Sequence, residues 1–224
     1  MLNSTRAIAA MRQLTGDGGL LDFGPERSRL LIRVMRTLAQ GRPVSGEQVD
    51  QIIEEVGITR DDAHGLLSQW AERDAGGGIA GILGLSLNET PHRLTVDGRR
   101  LFAWCAMDTL YLPAVLGQTA TVESESPVTG AQVRLTVSPR RVEAVDPVGA
   151  VVSMVVVEPD AADASSVEAI WGTFCHRIFF FASREEAERW AAGRDDRDAL
   201  ELLSVDEAFE LGRLAGSRLL AHGA

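Results

Sequence analysis

Apolar positions divide the chain into a region of helical period and a region of mixed period. Leu30, Leu31, Val34, Met35 and Leu38 recur on one helical face, and Gly41 and Pro43 close that segment. Ser45 stands three residues before Gln48, a capping-box spacing, and Val49, Ile52, Ile53 and Val56 follow on one face before Gly57. Thr59 with Asp62 opens a third helix carrying Ala63, Leu66, Leu67, Trp70 and Ala71, which Gly76-Gly77-Gly78 is expected to stop. Residues 82–87 and 93–96 then read as two short strands joined through Asn88-Glu89-Thr90-Pro91. Three helices followed by a hairpin predict a winged-helix-like module.

Residues 101–116 are apolar apart from Cys105, Asp108 and Thr109, a run that predicts a buried helix too short to span a bilayer. Val- and Thr-rich segments at 119–124, 133–137 and 151–157 alternate with turns such as Thr129-Gly130 and Ser138-Pro139. Their connections are too short for helical crossovers, so the sheet should be mostly antiparallel. Ser165 with Glu168, Ser183 with Glu186 and Ser204 with Glu207 open three further helices, and residues 176–181 read as one more strand. The expected fold class is α+β. A winged-helix-like helical module over 1–100 precedes a mostly antiparallel sheet with flanking helices over 101–224.

Charge narrows the partners. The 224 residues carry a net charge of −10, and all 22 basic residues are arginine. Residues 1–100 hold 12 Arg against 13 Asp and Glu, so the acidity is concentrated in the second half. A surface of that sign does not suit a phosphate backbone, and the third helix is bounded by Arg60-Asp61-Asp62 and Glu72-Arg73-Asp74. No nucleic acid or membrane partner is expected. The start, Met1-Leu2-Asn3-Ser4-Thr5-Arg6, lacks the form of an export signal, and two cysteines make no disulfide framework, which together place the chain in the cytoplasm.

Three residues stand out chemically. Cys105 and Asp108 are three apart on a predicted helix and share a side of it. A carboxyl in the middle of an apolar run is costly to bury unless it is paired or employed. Cys175 follows Gly172-Thr173-Phe174 at a helix-to-strand junction, where a side chain can be aimed into a cleft. Each has a plainer explanation: a buried Cys is a common core residue, and Asp108 could pair with Arg99 or Arg100. His176 beside Cys175 would face the other side of a strand. His64, His92, His176 and His222 lack ligand spacing, and no Cys-x-x-Cys or nucleotide-binding glycine motif occurs.

The segments Trp104-Cys105-Ala106-Met107-Asp108-Thr109-Leu110 and Phe174-Cys175-His176-Arg177-Ile178-Phe179-Phe180-Phe181-Ala182-Ser183 resemble the two active-site segments of alkylmercury lyases, in the family's order. The resemblance extends over roughly residues 25–195. It implies that Cys105 and Cys175 bind mercury and that Asp108 delivers a proton to carbon, so that the carbon–mercury bond of an organomercurial yields a hydrocarbon and Hg²⁺. It also implies an enzyme without an organic cofactor, dependent on external thiols, whose Hg²⁺ passes to small thiols or to a mercuric reductase. Phe102, Trp104, Tyr111 and Phe174 flank these residues and are candidates to line a pocket for the organic group.

Two other functions use the same residues. A non-enzymatic protein could sequester mercury or copper(I) through the cysteine pair, because thiolates are soft ligands; it leaves Asp108 without a purpose. A metal-sensing regulator could read DNA with its first half, against which the acidic third helix counts.

Overall fold

The computed structural model describes residues 5–157 and 161–223; of the amino-terminal stretch read for export, residues 1–4 lie outside them. Four helices open the chain: α1 (Thr5–Thr15), α2 (Gly24–Leu38), α3 (Gly46–Val56) and α4 (Arg60–Trp70). The Ser45–Gln48 capping box forms as the spacing predicts, Gly57 ends α3 in the left-handed conformation, and Thr59 caps α4. The third helix stops at Trp70, earlier than its glycine run. Ala71 already belongs to β1 (Ala71–Arg73), because the chain there pairs with β2 (Ile79–Ile82) across the turn the glycines make.

Six more strands complete an antiparallel array: β3 (Leu85–Ser86), β4 (His92–Val96), β5 (Arg99–Ala103), β6 (Ala120–Glu125), β7 (Gln132–Val137) and, at the edge, β8 (Val142–Asp146). The order of the eight-stranded sheet is β1-β2-β3-β5-β4-β6-β7-β8. The hairpin expected between 82–87 and 93–96 does not form. Both β3 and β4 pair instead with β5, whose turn is the Asp97-Gly98 pair joining it to β4. Residue 100 therefore lies inside a strand in mid-sheet. Ladder register puts His92, Leu94 and Val96 of β4 on the same buried face as Ala120, Val122 and Ser124 of β6, while the intervening residues are more exposed. The edge strand β8 has no buried position, which is why its period is faint in the sequence.

The apolar run from 101 is a strand followed by a helix. β5 ends at Ala103, and α5 (Ala106–Leu116) starts only after Cys105. An unbroken apolar run does not distinguish the two states, which explains the single helix read there. α5 is apolar all round and contacts α2, both sheets and the last helix, α8 (Val205–Gly223). β9 (Val151–Val155) lies between β10 (Phe180–Phe181) and β11 (Leu200–Ser204) in a second, three-stranded sheet. α7 (Arg184–Ala192) packs against it, and α6 (Val167–Thr173) packs against the Cys175–Arg177 turn; α6 is capped by Ser166, one residue later than the spacing suggests. The strand expected over 176–181 is short, since Cys175–Arg177 is a 3-10 turn. No described helix is long and apolar enough to cross a membrane.

Candidate active site

Cys105 sits at the N-cap of α5 with extended backbone, and Asp108 is the third residue of that helix. Their spacing is that of a capping box with cysteine in place of serine. The Asp108 carboxylate accepts the Cys105 N–H at 2.9 Å, while the Cys105 sulfur faces the Asp108 N–H. This arrangement, rather than a shared face in mid-helix, brings the two side chains together. Arg99 pairs with Asp97 and leaves Asp108 to the cysteine.

Cys175 reaches the same place from the other sheet. Buried Ser153 on β9 donates its hydroxyl to the Arg177 carbonyl at 2.8 Å and accepts the Phe179 N–H at 3.0 Å, clamping the turn to the strand. The Ala106 N–H donates to the Ile178 carbonyl at 3.2 Å, which joins the two cysteine segments directly. As a result the Cys105 sulfur, a carboxylate oxygen of Asp108 and the Cys175 sulfur all lie within 4.8 Å of one another. Both cysteines are free and buried. Two sulfurs and a carboxylate oxygen converging in this way offer a single soft ion a pair of thiolate ligands.

Electrostatics at the trio follow from the loss of water. Burial pushes the Cys105 thiol well above its ordinary range, helped by the neighbouring Cys175 and Asp108. At Cys175 the contact with Cys105 pulls the thiol down, but burial and the Asp108 charge outweigh it and leave it raised. Burial lifts Asp108 to about 6 against the opposing bonds from Cys105. At neutral pH the site thus holds two protonated thiols and a carboxyl near its titration point.

The trio opens on an apolar cavity of about 120 Å³. Trp104, Tyr111 and Phe174 line it; Phe102, on β5, is buried but is not among the lining residues. Trp104 donates its indole N–H to the buried carboxylate of Glu72 and packs edge-on against Trp171 at 5.9 Å. Much of the wall was not anticipated: Met11 and Leu14 of α1, Leu20, Leu21 and Phe23 of the following loop, and Leu83 and Gly84 between β2 and β3. The signal available for the last pair was a glycine between two short apolar runs. His176 is exposed beside Trp171, and His92 is buried against Ser124 with its pKa held near 4 by burial, so neither joins the site.

The sequence model of one family, MerB: alkylmercury lyase, matches residues 85–215. An alkylmercury lyase of Pseudomonas putida is 40% identical over 199 residues, covering 87% of this chain and 86% of the relative. One of Bacillus cereus is 39% identical over 198 residues, with 87% and 84% covered. Among solved structures, the mercury-bound form of MerB2 shares the fold with a TM-score of 0.72 at 24% identity, over 96% of this chain and all of that one.

Proposed function

The chain belongs to the alkylmercury lyase family, an enzyme family that acts on organomercurials, and we propose how its residues divide the cleavage of the carbon–mercury bond. The observation that carries the assignment is the convergence of Cys105, Asp108 and Cys175 within 4.8 Å at the end of an apolar cavity.

The substrate arrives as R–Hg–SR′, mercury already carried by a small thiol. One cysteine exchanges with that thiol, releasing R′SH and forming R–Hg–S–Cys. The second thiol then adds. Its proton goes to the Asp108 carboxylate, since a buried thiol with a raised pKa does not ionise unaided and a soft metal drives its deprotonation. Two thiolate donors raise the electron density on carbon, and Asp108, now protonated, returns the proton there. The carbon–mercury bond breaks with its electron pair on carbon, R–H leaves, and Hg²⁺ remains between two thiolates. A carboxyl with a pKa near 6 suits both transfers, because near neutral pH it is ionised and able to accept the thiol proton, yet basic enough to hold that proton until carbon takes it.

The cavity addresses the organic group. Engineered apolar cavities of about 150 Å³ admit benzene, so a wall of Met11, Leu14, Leu21, Phe23 and Trp70 suits small alkyl and aryl groups. A protein that only sequestered soft metal would have no use for this cavity or for Asp108. α2–α4 with the strands after them we read as winged-helix-like, serving here to supply Trp70 and Leu83 to the wall. The negative charge of the chain supports a reading without nucleic acid. The reaction as written uses only side chains and thiols, so no organic cofactor is invoked. Turnover requires that external thiols, or a mercuric reductase, take Hg²⁺ by exchange at the two sulfurs. We place the reaction in the cytoplasm, where thiols stay reduced.

Incubation with phenylmercury and excess small thiol tests the assignment, with benzene as readout. Cys105→Ser and Cys175→Ser should each lower benzene release by about 10³-fold, because a hydroxyl is a poor ligand for a soft ion. Full activity in either variant rejects the two-thiol reading.

A further inference from the structure

Two hairpins of the large sheet turn in the same way on different residues. The β4–β5 hairpin reverses through Asp97 (φ +49°) and Gly98 (φ +72°), with Val96 and Arg99 directly paired. The β2–β3 hairpin reverses through Leu83 (φ +44°) and Gly84 (φ +86°), with Ile82 and Leu85 directly paired. Positive φ at both central residues is the type I′ form, which favours Asn or Asp in the first place. Asp97 conforms. A leucine there is strained, and strain that persists inside a core points to what surrounds it.

The surroundings of the two glycines differ completely. A Cβ added at Gly98 would meet nothing within 4 Å, whereas one at Gly84 would lie 2.6 Å from both Cγ and Oδ1 of Asp108 and 2.9 Å from the Tyr111 hydroxyl oxygen. The turn is also tied down on three sides. Tyr111 donates its hydroxyl to the Leu83 carbonyl, the Trp104 backbone N–H donates to the Gly84 carbonyl at 2.9 Å, and the Leu83 N–H donates to the Trp70 carbonyl at 3.3 Å. The Leu83 side chain is buried and lines the cavity, where an Asn or Asp would bring water beside the carboxyl.

We propose that the Leu83–Gly84 turn is a positioning element for carbon–mercury cleavage, its bare backbone at Gly84 forming the wall that holds the Asp108 carboxyl within reach of both sulfurs. Gly84 acts through Asp108 and has no role in holding mercury. Only glycine leaves room for the carboxyl, and Tyr111 fixes the turn from the far end by its bond to Leu83. This inference rests on Asp108 being the proton carrier.

Two readouts separate positioning from mere structure: single-turnover benzene release from phenylmercury, and the ultraviolet mercury–thiolate absorbance on titration with Hg²⁺. Gly84→Ala should lower benzene release about 10- to 100-fold while one Hg²⁺ per chain still binds, since a misplacement of about 1 Å costs that much in rate. Gly98→Ala imposes a similar left-handed penalty away from Asp108 and should stay within about twofold of the parent in release. Tyr111→Phe, which keeps the glycine, should lower release about threefold or more with Hg²⁺ binding intact. Release within about twofold in folded Gly84→Ala, or an equal loss in Gly98→Ala, overturns the proposal. If Gly84→Ala does not fold or does not bind Hg²⁺, Tyr111→Phe decides, and an unchanged rate there overturns it. Asp108→Asn is measured alongside. Undiminished release in that variant removes the proton carrier and the proposal together, whereas loss of release in Asp108→Asn with full release in Gly84→Ala removes the positioning alone.

Discussion

Asp108 on α5 and Glu186 on α7 occupy the same local position, the third residue of a helix whose N-cap lies three residues back. Each carboxylate reaches back to a backbone N–H at 2.9 Å, Asp108 to Cys105 and Glu186 to Ala182. Beyond that they diverge. Glu186 also accepts the hydroxyls of Ser126 and Thr129, which carry it across to the β6–β7 turn. Burial pushes Glu186 up, but these bonds outweigh it and hold its pKa below the ordinary range. Asp108 has sulfur and apolar wall for neighbours, and its pKa rises to about 6. The same turn of helix thus yields a fixed charge or a mobile proton according to the donors around it.

The widest separation should come from removing each carboxylate. Asp108→Asn should retain Hg²⁺ binding and lose about 10²- to 10⁴-fold in benzene release, the range for a lost general acid or base. Glu186→Ala should leave release per folded molecule unchanged. It should cost about 2–4 kcal/mol of stability in denaturant unfolding, because three donors inside the protein lose their acceptor. Similar activity losses in the two variants would erase the distinction.

pH should then separate them by sign. The folded pKa of Asp108 lies above the unfolded value near 3.8, so the folded state binds the extra proton between about pH 4 and pH 6. Its contribution is therefore favourable below that window, and up to about 3 kcal/mol of stability is lost as pH rises through it. Glu186 runs the other way: its stabilisation is present above the unfolded pKa and is lost as pH falls through the depressed folded value. For catalysis, kcat/KM should rise about tenfold per pH unit below 6 and level off above it, as Asp108 becomes able to accept the thiol proton. A profile flat from pH 5 to pH 7 would contradict this.

The helices were readable because their caps and stripes are local: Ser45, Thr59, Ser183 and Ser204 all stand where the chain enters a helix. The trio was readable as residues and less so as geometry. Cys105-x-x-Asp108 is a capping box in disguise, and the apolar run around it hid the end of β5 and the true start of α5. Pairing of β3 with β5 depends on contacts between distant segments, which no local period encodes. The cavity wall was hidden for the same reason. Met11, Leu14 and Leu21 are ordinary apolar residues until the fold brings α1 and its loop to residues a hundred positions away.

A gentler change probes the comparison at its source, the number of donors. Ser126→Ala removes one of the hydroxyls that hold Glu186 ionised and leaves Thr129 and the Ala182 N–H in place. The Glu186 pKa should then move up toward the ordinary range, and unfolding at neutral pH should show a loss of about 1 kcal/mol, the usual net worth of such a bond. The loss should shrink in acid, where Glu186 is protonated in both proteins and the missing hydroxyl no longer supports a charge. Benzene release should not change, because Ser126 does not line the cavity around the trio. A loss of stability that is equal at every pH would mean that Ser126 matters for packing alone, and that the donors around Glu186 do not set its charge.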